Sequence, residues 1–400
     1  MASSYRHALL SVLAIWLLAL WQPVNAAGIV AGNTVLARDE GGITLTLGLS
    51  EAVPFRLFTL DAPRRLLIDL GPVSLEEMPR GLEREIAEVS ALRFGLFQLG
   101  ESRIVLDLAV PMRVKSAVYD QGADGGGLIR IRLVPASAAE FAAEASPPRQ
   151  SLWRPAQLQT RVEGGANLPL IVLDAGHGGL DMGAEKGEVA EKDIALQMAR
   201  VLRDTLLEDG RFRVLLTRDA DVFIPLGERV EIARRAGADA FISLHADTVT
   251  LGRARGTTVF SLSQASEDQE AVTIATLENR ADLVAGISVE GEDDLLTQVL
   301  LQMAYRETSA LSNRFADIIA EALWFQNDNE IKSRRMAGGF RVLRAPDTPS
   351  VLIELGFISD KNDLEKLQDP AWQQMMSETL RDALLIWLEA EAEMRGLLRN

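Results

Sequence analysis

The chain has 400 residues, no cysteine and a formal net charge of -16 at pH 7, with 48% of its residues apolar. That length allows two domains, and the lack of cysteine excludes disulfides and thiolate metal sites. The acidic balance argues against nucleic acid or an anionic membrane surface as the main partner. A transition metal would have to be held by His, Asp or Glu, and the histidines are His7, His177 and His245.

At the N-terminus, Arg6 and His7 precede an apolar run from Ala8 to Trp21 that is short for a bilayer span. Val24-Asn25-Ala26 resembles a small-residue cleavage site, so residues 1–26 read as a secretory signal peptide. An uncleaved anchor is the alternative. Cleavage would leave His177 and His245, place the protein in the periplasm and restrict membrane contact to the signal peptide. Arg6 has no arginine beside it, which favours Sec over Tat export.

Residues 28–135 are rich in short alternating runs. Ile43-Thr44-Leu45-Thr46-Leu47 has the period of a half-buried strand. Arg65-Leu66-Leu67-Ile68-Asp69-Leu70 and Arg103-Ile104-Val105-Leu106-Asp107-Leu108 echo each other. In each, three residues at period two face a core, and the Arg and Asp lie on the other face, which reads as solvated. Leu128 to Leu133 looks like a closing strand, and Gly71-Pro72 and the 125–127 glycines supply turns. The expected class is a small all-β sandwich. The repeated Arg/Asp strand resembles the AMIN domain, a module found before cell-wall amidases. That resemblance implies peptidoglycan binding or targeting to the division site.

Residues 136–167 shift to small, polar and proline-rich composition and read as a linker, with a short helix near Ala138 to Ala145. From 168 to 393, strands alternate with helices. Strands are expected at Leu170–Leu173, Phe212–Thr217, Ala240–His245, Thr257–Leu262, Phe340–Leu343 and Pro349–Glu354. Helices are expected from Glu191 to Glu208, from Pro225 through Arg235, over much of 268–326, and from Trp372 to Glu393. This order predicts an α/β domain with a mostly parallel sheet covered by helices on both faces.

Sites in such sheets gather at the carboxyl ends of strands, where His177 and His245 both fall. A catalytic zinc takes three protein ligands and leaves a position open. The third would be a carboxylate. Glu191, at the start of a helix on its apolar side, is the best placed, with Glu185 and Glu188 as rivals on spacing. Glu354 ends a short apolar strand, an unusual place for a carboxylate unless it is paired or catalytic.

Asp174-Ala175-Gly176-His177-Gly178-Gly179, Glu191-Lys192-Asp193, Ser243-Leu244-His245-Ala246-Asp247 and Pro349 to Ser359 resemble, in order, the motifs of the Amidase_3 family of N-acetylmuramoyl-L-alanine amidases. The resemblance implies that His177, Glu191 and His245 bind zinc and that Glu354 is the catalytic carboxylate. The reaction implied is hydrolysis of the amide between N-acetylmuramic acid and L-alanine of the peptidoglycan stem peptide. The insertion over about 263–308 resembles the regulatory segment of the division-associated branch, which acts in daughter-cell separation. In that branch a helix blocks the zinc until a LytM-domain activator displaces it, and Glu278 is the autoinhibitory candidate. Arg218 and Arg229 read as structural. A zinc peptidase acting within the stem peptide and a non-catalytic wall-binding scaffold are the competing readings.

Overall fold

The computed structural model describes residues 27–98, 100–121, 126–145, 161–248, 255–263, 266, 268–285, 295–326 and 334–397. The expected signal peptide, much of the linker and residues 286–294 of the insertion lie outside the described residues.

The N-terminal part is a sandwich of two four-stranded sheets. Strands β1 (Val35–Asp39), β2 (Gly42–Leu49), β3 (Phe55–Leu60), β4 (Arg65–Leu70), β5 (Val89–Gln98), β6 (Glu101–Leu108), β7 (Met112–Gln121) and β8 (Gly127–Pro135) pair antiparallel throughout. One sheet runs β1-β2-β8-β7 and the other β3-β4-β6-β5. Ile43, Leu45, Leu47, Ile129, Ile131 and Leu133 of the first meet Leu66, Ile68, Leu70, Ile104 and Leu106 of the second, all buried. The alternation of apolar residues along these strands is therefore the sandwich core. Helix α1 (Ala138–Glu144) follows, opened by a reciprocal Ser137–Glu140 capping box, and buries Phe141 in that same core.

The central strands β4 and β6 of the second sheet are largely buried on both faces, contrary to the solvated face expected for their arginines and aspartates. The sheet's outward residues Leu67, Val105 and Phe97 join an apolar cluster with Val222, Phe223, Ala281 and Ala285 of the C-terminal domain. Arg65, Asp69 and Arg103 are 1%, 0% and 3% exposed. The outward-facing Leu67 and Val105, set between the charges, are the physical reason: a face with an apolar centre is covered. The two echoing segments pair antiparallel, so each Arg stands across from the other's Asp: Arg65 opposite Asp107 and Asp69 opposite Arg103. Asp69 and Arg103 form an ion pair across this register, which stabilises it, while Asp107 pairs with Arg93 of β5.

In the C-terminal domain, strands β9 (Leu170–Ala175), β10 (Arg213–Leu216), β11 (Ala240–His245), β12 (Thr258–Leu262), β13 (Arg334–Gly338) and β14 (Ser350–Glu354) form one sheet in the order β10-β9-β11-β14-β12-β13. The first four of these are mutually parallel; β12 meets β14 antiparallel and β13 runs alongside β12. Residues of β9 alternate between the two faces. Ile171 and Leu173 pack with helices α2 (Glu191–Asp209), α6 (Leu295–Gln326) and α8 (Pro370–Leu397). Leu170 and Val172 pack with helices α3 (Leu226–Ala236) and α4 (Gln269–Glu278), with the short helix α5 (Ala281–Val284), and with the sandwich. A seventh short helix by position, α7 (Lys361–Leu367), precedes α8. The mostly parallel sheet covered on both faces is as expected. Phe340 to Leu343 is not a strand: Arg341–Leu343 is a single 3-10 turn and the edge strand is Arg334–Gly338. An edge strand with two arginines lacks the apolar run by which the buried strands were read.

Arg56 pairs with both Asp69 and Glu101 on the buried sheet. Burial pushes the Glu101 carboxyl up to about 7, and the neighbouring Asp69 adds to the rise. Folded Glu101 therefore keeps a proton that the unfolded chain sheds near pH 4.5. A group that binds protons more tightly when folded lowers stability as pH rises, here between its unfolded and folded values. Glu101→Gln should leave urea unfolding of the sandwich little changed near about pH 5 and shift the midpoint upward, relative to the unaltered chain, near about pH 8. Parallel pH profiles for the two proteins would contradict this assignment.

Candidate metal centre

The site is built at the carboxyl ends of β9, β11 and β14. After β9 the chain turns through Gly176-His177-Gly178-Gly179. His177 has φ of 57°, a left-handed conformation. Such a backbone costs a non-glycine residue about 1–3 kcal/mol and needs its surroundings to hold it.

Two buried arginines do so. Arg229 of α3 donates to Asp174 Oδ1 at 2.9 Å, to the Ala175 carbonyl at 2.8 Å and to the His177 carbonyl at 2.7 Å. Arg218, after β10, donates to the carbonyls of Ala175 at 2.9 Å, Gly176 at 2.7 Å and Lys192 at 2.8 Å. Burial pushes Arg218 down to about 10, which leaves it charged at neutral pH. Asp174, fully buried, also accepts from Thr217 at 2.6 Å and Ser243 at 2.7 Å. The two arginines thus tie a strand end and a helix to the histidine loop, the structural role expected of them. Gly176 is needed for a different reason: a Cβ there would lie 2.4 Å from His245 Cε1. Without it the two imidazoles could not approach to 4.9 Å between ring centres.

Glu191 is the first residue of α2 and is fully buried. Its Oε2 accepts from the Ala184 amide at 2.9 Å and its Oε1 from the Ala246 amide at 2.9 Å. The same Oε1 lies 3.1 Å from His177 Nε2 and 3.1 Å from His245 Nδ1. The rivals Glu185 and Glu188 are exposed on and beside a small hairpin. Glu278, the last residue of α4, places Oε2 2.9 Å from His245 Nδ1 and 3.5 Å from His177 Nε2. One donor atom each from His177, Glu191, His245 and Glu278 lies within 4.8 Å of all the others.

Glu354 stands across from His245 in the β11–β14 register. It is fully buried, and its Oε2 accepts from the Asp247 amide at 3.1 Å. Burial pushes its carboxyl well above the usual range, with Asp247, Glu278 and Glu191 adding to the effect and His245 opposing it. Burial, then Glu191 and Glu278, raise Asp247 to about 8. Burial depresses both imidazoles, yet the carboxylates outweigh it. Glu191, Asp181 and Glu278 hold His177 well above its ordinary value, and Glu278 with Glu191 brings His245 up to about 10. Glu191 is pushed up by burial but held well below the carboxylate range by the two imidazoles.

Asp181 was not among the residues read from the sequence. Its Oδ2 accepts from His177 Nδ1 at 2.9 Å. A carboxylate only accepts, so Nδ1 carries the proton and Nε2 is the atom turned to the cluster. The signal lay in the spacing: Gly178 and Asp181 exchange backbone hydrogen bonds, which brings the aspartate back under the histidine four residues earlier. Lys192 was also passed over; its ammonium donates to the Gly179 carbonyl at 2.9 Å and to Asp221 at 2.7 Å, bracing the loop from below.

The cluster fits a divalent metal. Two imidazoles and two carboxylates are donors such ions take. Three buried polar atoms of this neighbourhood, His177 Nε2, Asp247 Oδ2 and Glu354 Oε1, make no hydrogen bond. Orphaned buried atoms of this kind call for a partner.

Comparison with known proteins places the chain in a family. The family model described as N-acetylmuramoyl-L-alanine amidase, Amidase_3, matches residues 171–385, and the AMIN domain model matches residues 34–129. The N-acetylmuramoyl-L-alanine amidase AmiC of Escherichia coli O6:H1 is 31% identical over 404 residues, covering 95% of this chain and 94% of that protein. The AmiC amidase of Neisseria meningitidis serogroup B is 30% identical over 373 residues, 88% of each. Among solved structures, the amidase AmiC2 of Nostoc punctiforme is 27% identical and covers 56% of this chain and 99% of that one, with a TM-score of 0.40. The chain belongs to the Amidase_3 family of N-acetylmuramoyl-L-alanine amidases, peptidoglycan hydrolases, and carries an AMIN domain ahead of the catalytic one.

Proposed function

We propose that this amidase is zinc-dependent, with His177, Glu191 and His245 as ligands and Glu354 as the catalytic carboxylate. The observation that carries the proposal is the group of four donor atoms within 4.8 Å of one another, drawn from two imidazoles and two carboxylates. Bound there, zinc would polarise the scissile carbonyl and acidify a water molecule. Glu354 Oε1, buried and without a hydrogen bond, is the atom free to take a proton from water and return it to the alanine nitrogen. Its Oε2 is anchored on the Asp247 amide, which fixes the direction of Oε1. Asp181 holds His177 in the tautomer that leaves Nε2 for the metal.

Glu278 is the fourth donor of the group, and it comes from the inserted segment rather than from the sheet. We read it as an autoinhibitory ligand that fills the position a substrate carbonyl and water would use. On this reading a LytM-domain activator withdraws α4, and the enzyme acts in the periplasm during daughter-cell separation after export by its signal peptide. The AMIN domain would hold it to the wall.

Four outcomes follow. Glu354→Gln should retain bound zinc and lose about 10²–10⁴-fold in turnover, as read by release of stem peptide from purified peptidoglycan alongside metal analysis. Chelation should abolish the residual and the unaltered activity alike, with zinc restoring the latter; full activity in a chelator-treated, metal-free protein would exclude the zinc reading. Asp181→Ala should weaken zinc about 10–100-fold, measured by competition with a chromophoric chelator. Glu278→Ala should raise activity in the absence of any activator, and an unchanged basal rate would remove Glu278 from the blocking role.

A further inference from the structure

The face of the sandwich that turned out to be buried does not meet the catalytic domain at random. Three arginines from three neighbouring strands converge on one helix end. Arg65 of β4 donates to the Leu283 carbonyl at 2.6 Å, Arg93 of β5 to the Val284 carbonyl at 3.3 Å, and Arg103 of β6 to the Ala285 carbonyl at 2.9 Å. These are successive residues at the C-terminal end of α5, the negative end of the helix, where cations are favoured. The guanidinium of Arg103 also lies over the Phe97 ring at 3.5 Å, and Phe97 stacks on Phe223 of the catalytic domain at 6.1 Å.

Each arginine is aimed by the sandwich itself, Arg65 through the Pro63 carbonyl at 3.2 Å and the other two through aspartates. Asp69 receives Arg103 at 2.6 and 3.0 Å, and Asp107 receives Arg93 at 2.5 and 2.8 Å. The paired repeat strands thus form a preset fork of donors. On its other side α5 is held by the catalytic domain: Asp282 accepts from the Leu226 amide at 2.9 Å and from Arg341 at 3.1 Å. The sandwich also rests on the metal loop. Leu96 O accepts from the Phe223 amide at 3.3 Å, and a Cβ on Gly95 would lie 2.4 Å from the Leu180 nitrogen, so the two backbones meet directly there.

Glu278 lies five residues before the first gripped carbonyl, with only Asn279 and Arg280 between α4 and α5. We propose that the arginine face of the N-terminal sandwich is an intramolecular docking surface for the C-terminal end of α5, and that this docking holds Glu278 over the metal cluster. The inference rests on the reading of Glu278 as a blocking ligand and adds what keeps it there. Withdrawing Glu278 carries α5 with it and breaks three charge-assisted hydrogen bonds to the sandwich. The N-terminal domain is then a brake on its own active site as well as a wall anchor.

The test uses the full chain with Arg65→Met and with Arg93→Met, the latter being the milder change because its side chain is 27% exposed. Amide hydrogen exchange over 269–285 should quicken roughly tenfold in either variant, the scale of one lost charge-assisted hydrogen bond. Exchange over 43–49 and 127–133, in the opposite sheet, should stay unchanged and reports that the sandwich is intact. If Arg65→Met unfolds the sandwich, Arg93→Met decides alone. Without activator, stem-peptide release from purified peptidoglycan should rise several-fold, and Arg93→Met should add nothing once Glu278→Ala is present. Unaltered exchange over 269–285 overturns the docking whatever Glu278 does. Faster exchange with a low basal rate in Glu278→Ala would instead discard the blocking role and keep the docked surface. A raised rate in Glu278→Ala with no change in the arginine variants would keep the block and discard the brake.

Discussion

The constraint on which the catalytic domain depends is charge balance in a dry place. Asp174, Asp181, Glu191, Asp247, Glu278 and Glu354 are all 6% exposed or less and gather around the ends of three strands. A buried carboxylate without a partner costs several kcal/mol. Arg218 and Arg229 answer for part of this charge, but their donors are directed at Asp174 and at backbone carbonyls of the loop. The remainder falls on the two imidazoles and on neighbouring carboxyls, which is why both histidines rise and the Asp247 and Glu354 carboxyls are pushed up. A site with this excess of negative charge favours a cation, and a metal entering it releases protons as it binds. The histidine loop, the capless start of α2 and the left-handed backbone at His177 are all tolerable because this network over-determines them.

Much of this could be read in the chain before the fold was in hand, and the reason is local. His177 and His245 end apolar runs short enough to be buried strands, and Glu191 opens a helix whose apolar side is clear. Each of these is a statement about a few neighbouring residues. Asp181 was missed because its role comes from a tight turn, not from a period. The strand at Arg334–Gly338 was missed because an edge needs no apolar run, and the run at Phe340 belongs to a turn packed into the core. The Arg/Asp face of the sandwich was misjudged for a deeper reason. Its partner carbonyls lie 182 to 218 residues away along the chain. No local pattern announces a helix end arriving from that distance. The apolar Leu67 and Val105 between the charges were the available hint.

The repeat also explains how a small sandwich can present such a surface. Two copies of one strand, paired antiparallel, set Arg against Asp at both ends of the ladder. Ion pairs of Asp69 with Arg103 and of Asp107 with Arg93 offset part of the cost of burying the charges and leave guanidinium edges pointing outward. A face made of leucines alone would bind any apolar surface. This one fits a helix C-terminus, where successive carbonyls face outward together at the negative end of the helix. Geometry and charge thus define the partner more narrowly than buried area does.

The two halves of the molecule therefore share a single electrostatic logic. At the metal cluster, Glu278 is one carboxylate too many unless a cation holds it, so the seat of α4 depends on what occupies the cluster. At the sandwich, α5 is drawn by cations to its negative end. Between these two attractions lie Asn279 and Arg280, with Asn279 itself bonded to the Gly339 carbonyl and the Arg341 amide. A segment pinned at both ends and in the middle does not drift open by thermal motion of one contact. On the reading proposed for Glu278, a partner that opens the enzyme must lift the whole of 269–285 together, so release is cooperative. On that same reading, loosening either end would weaken the other, and the N-terminal sandwich would take part in the regulation although it contributes no ligand to the metal cluster.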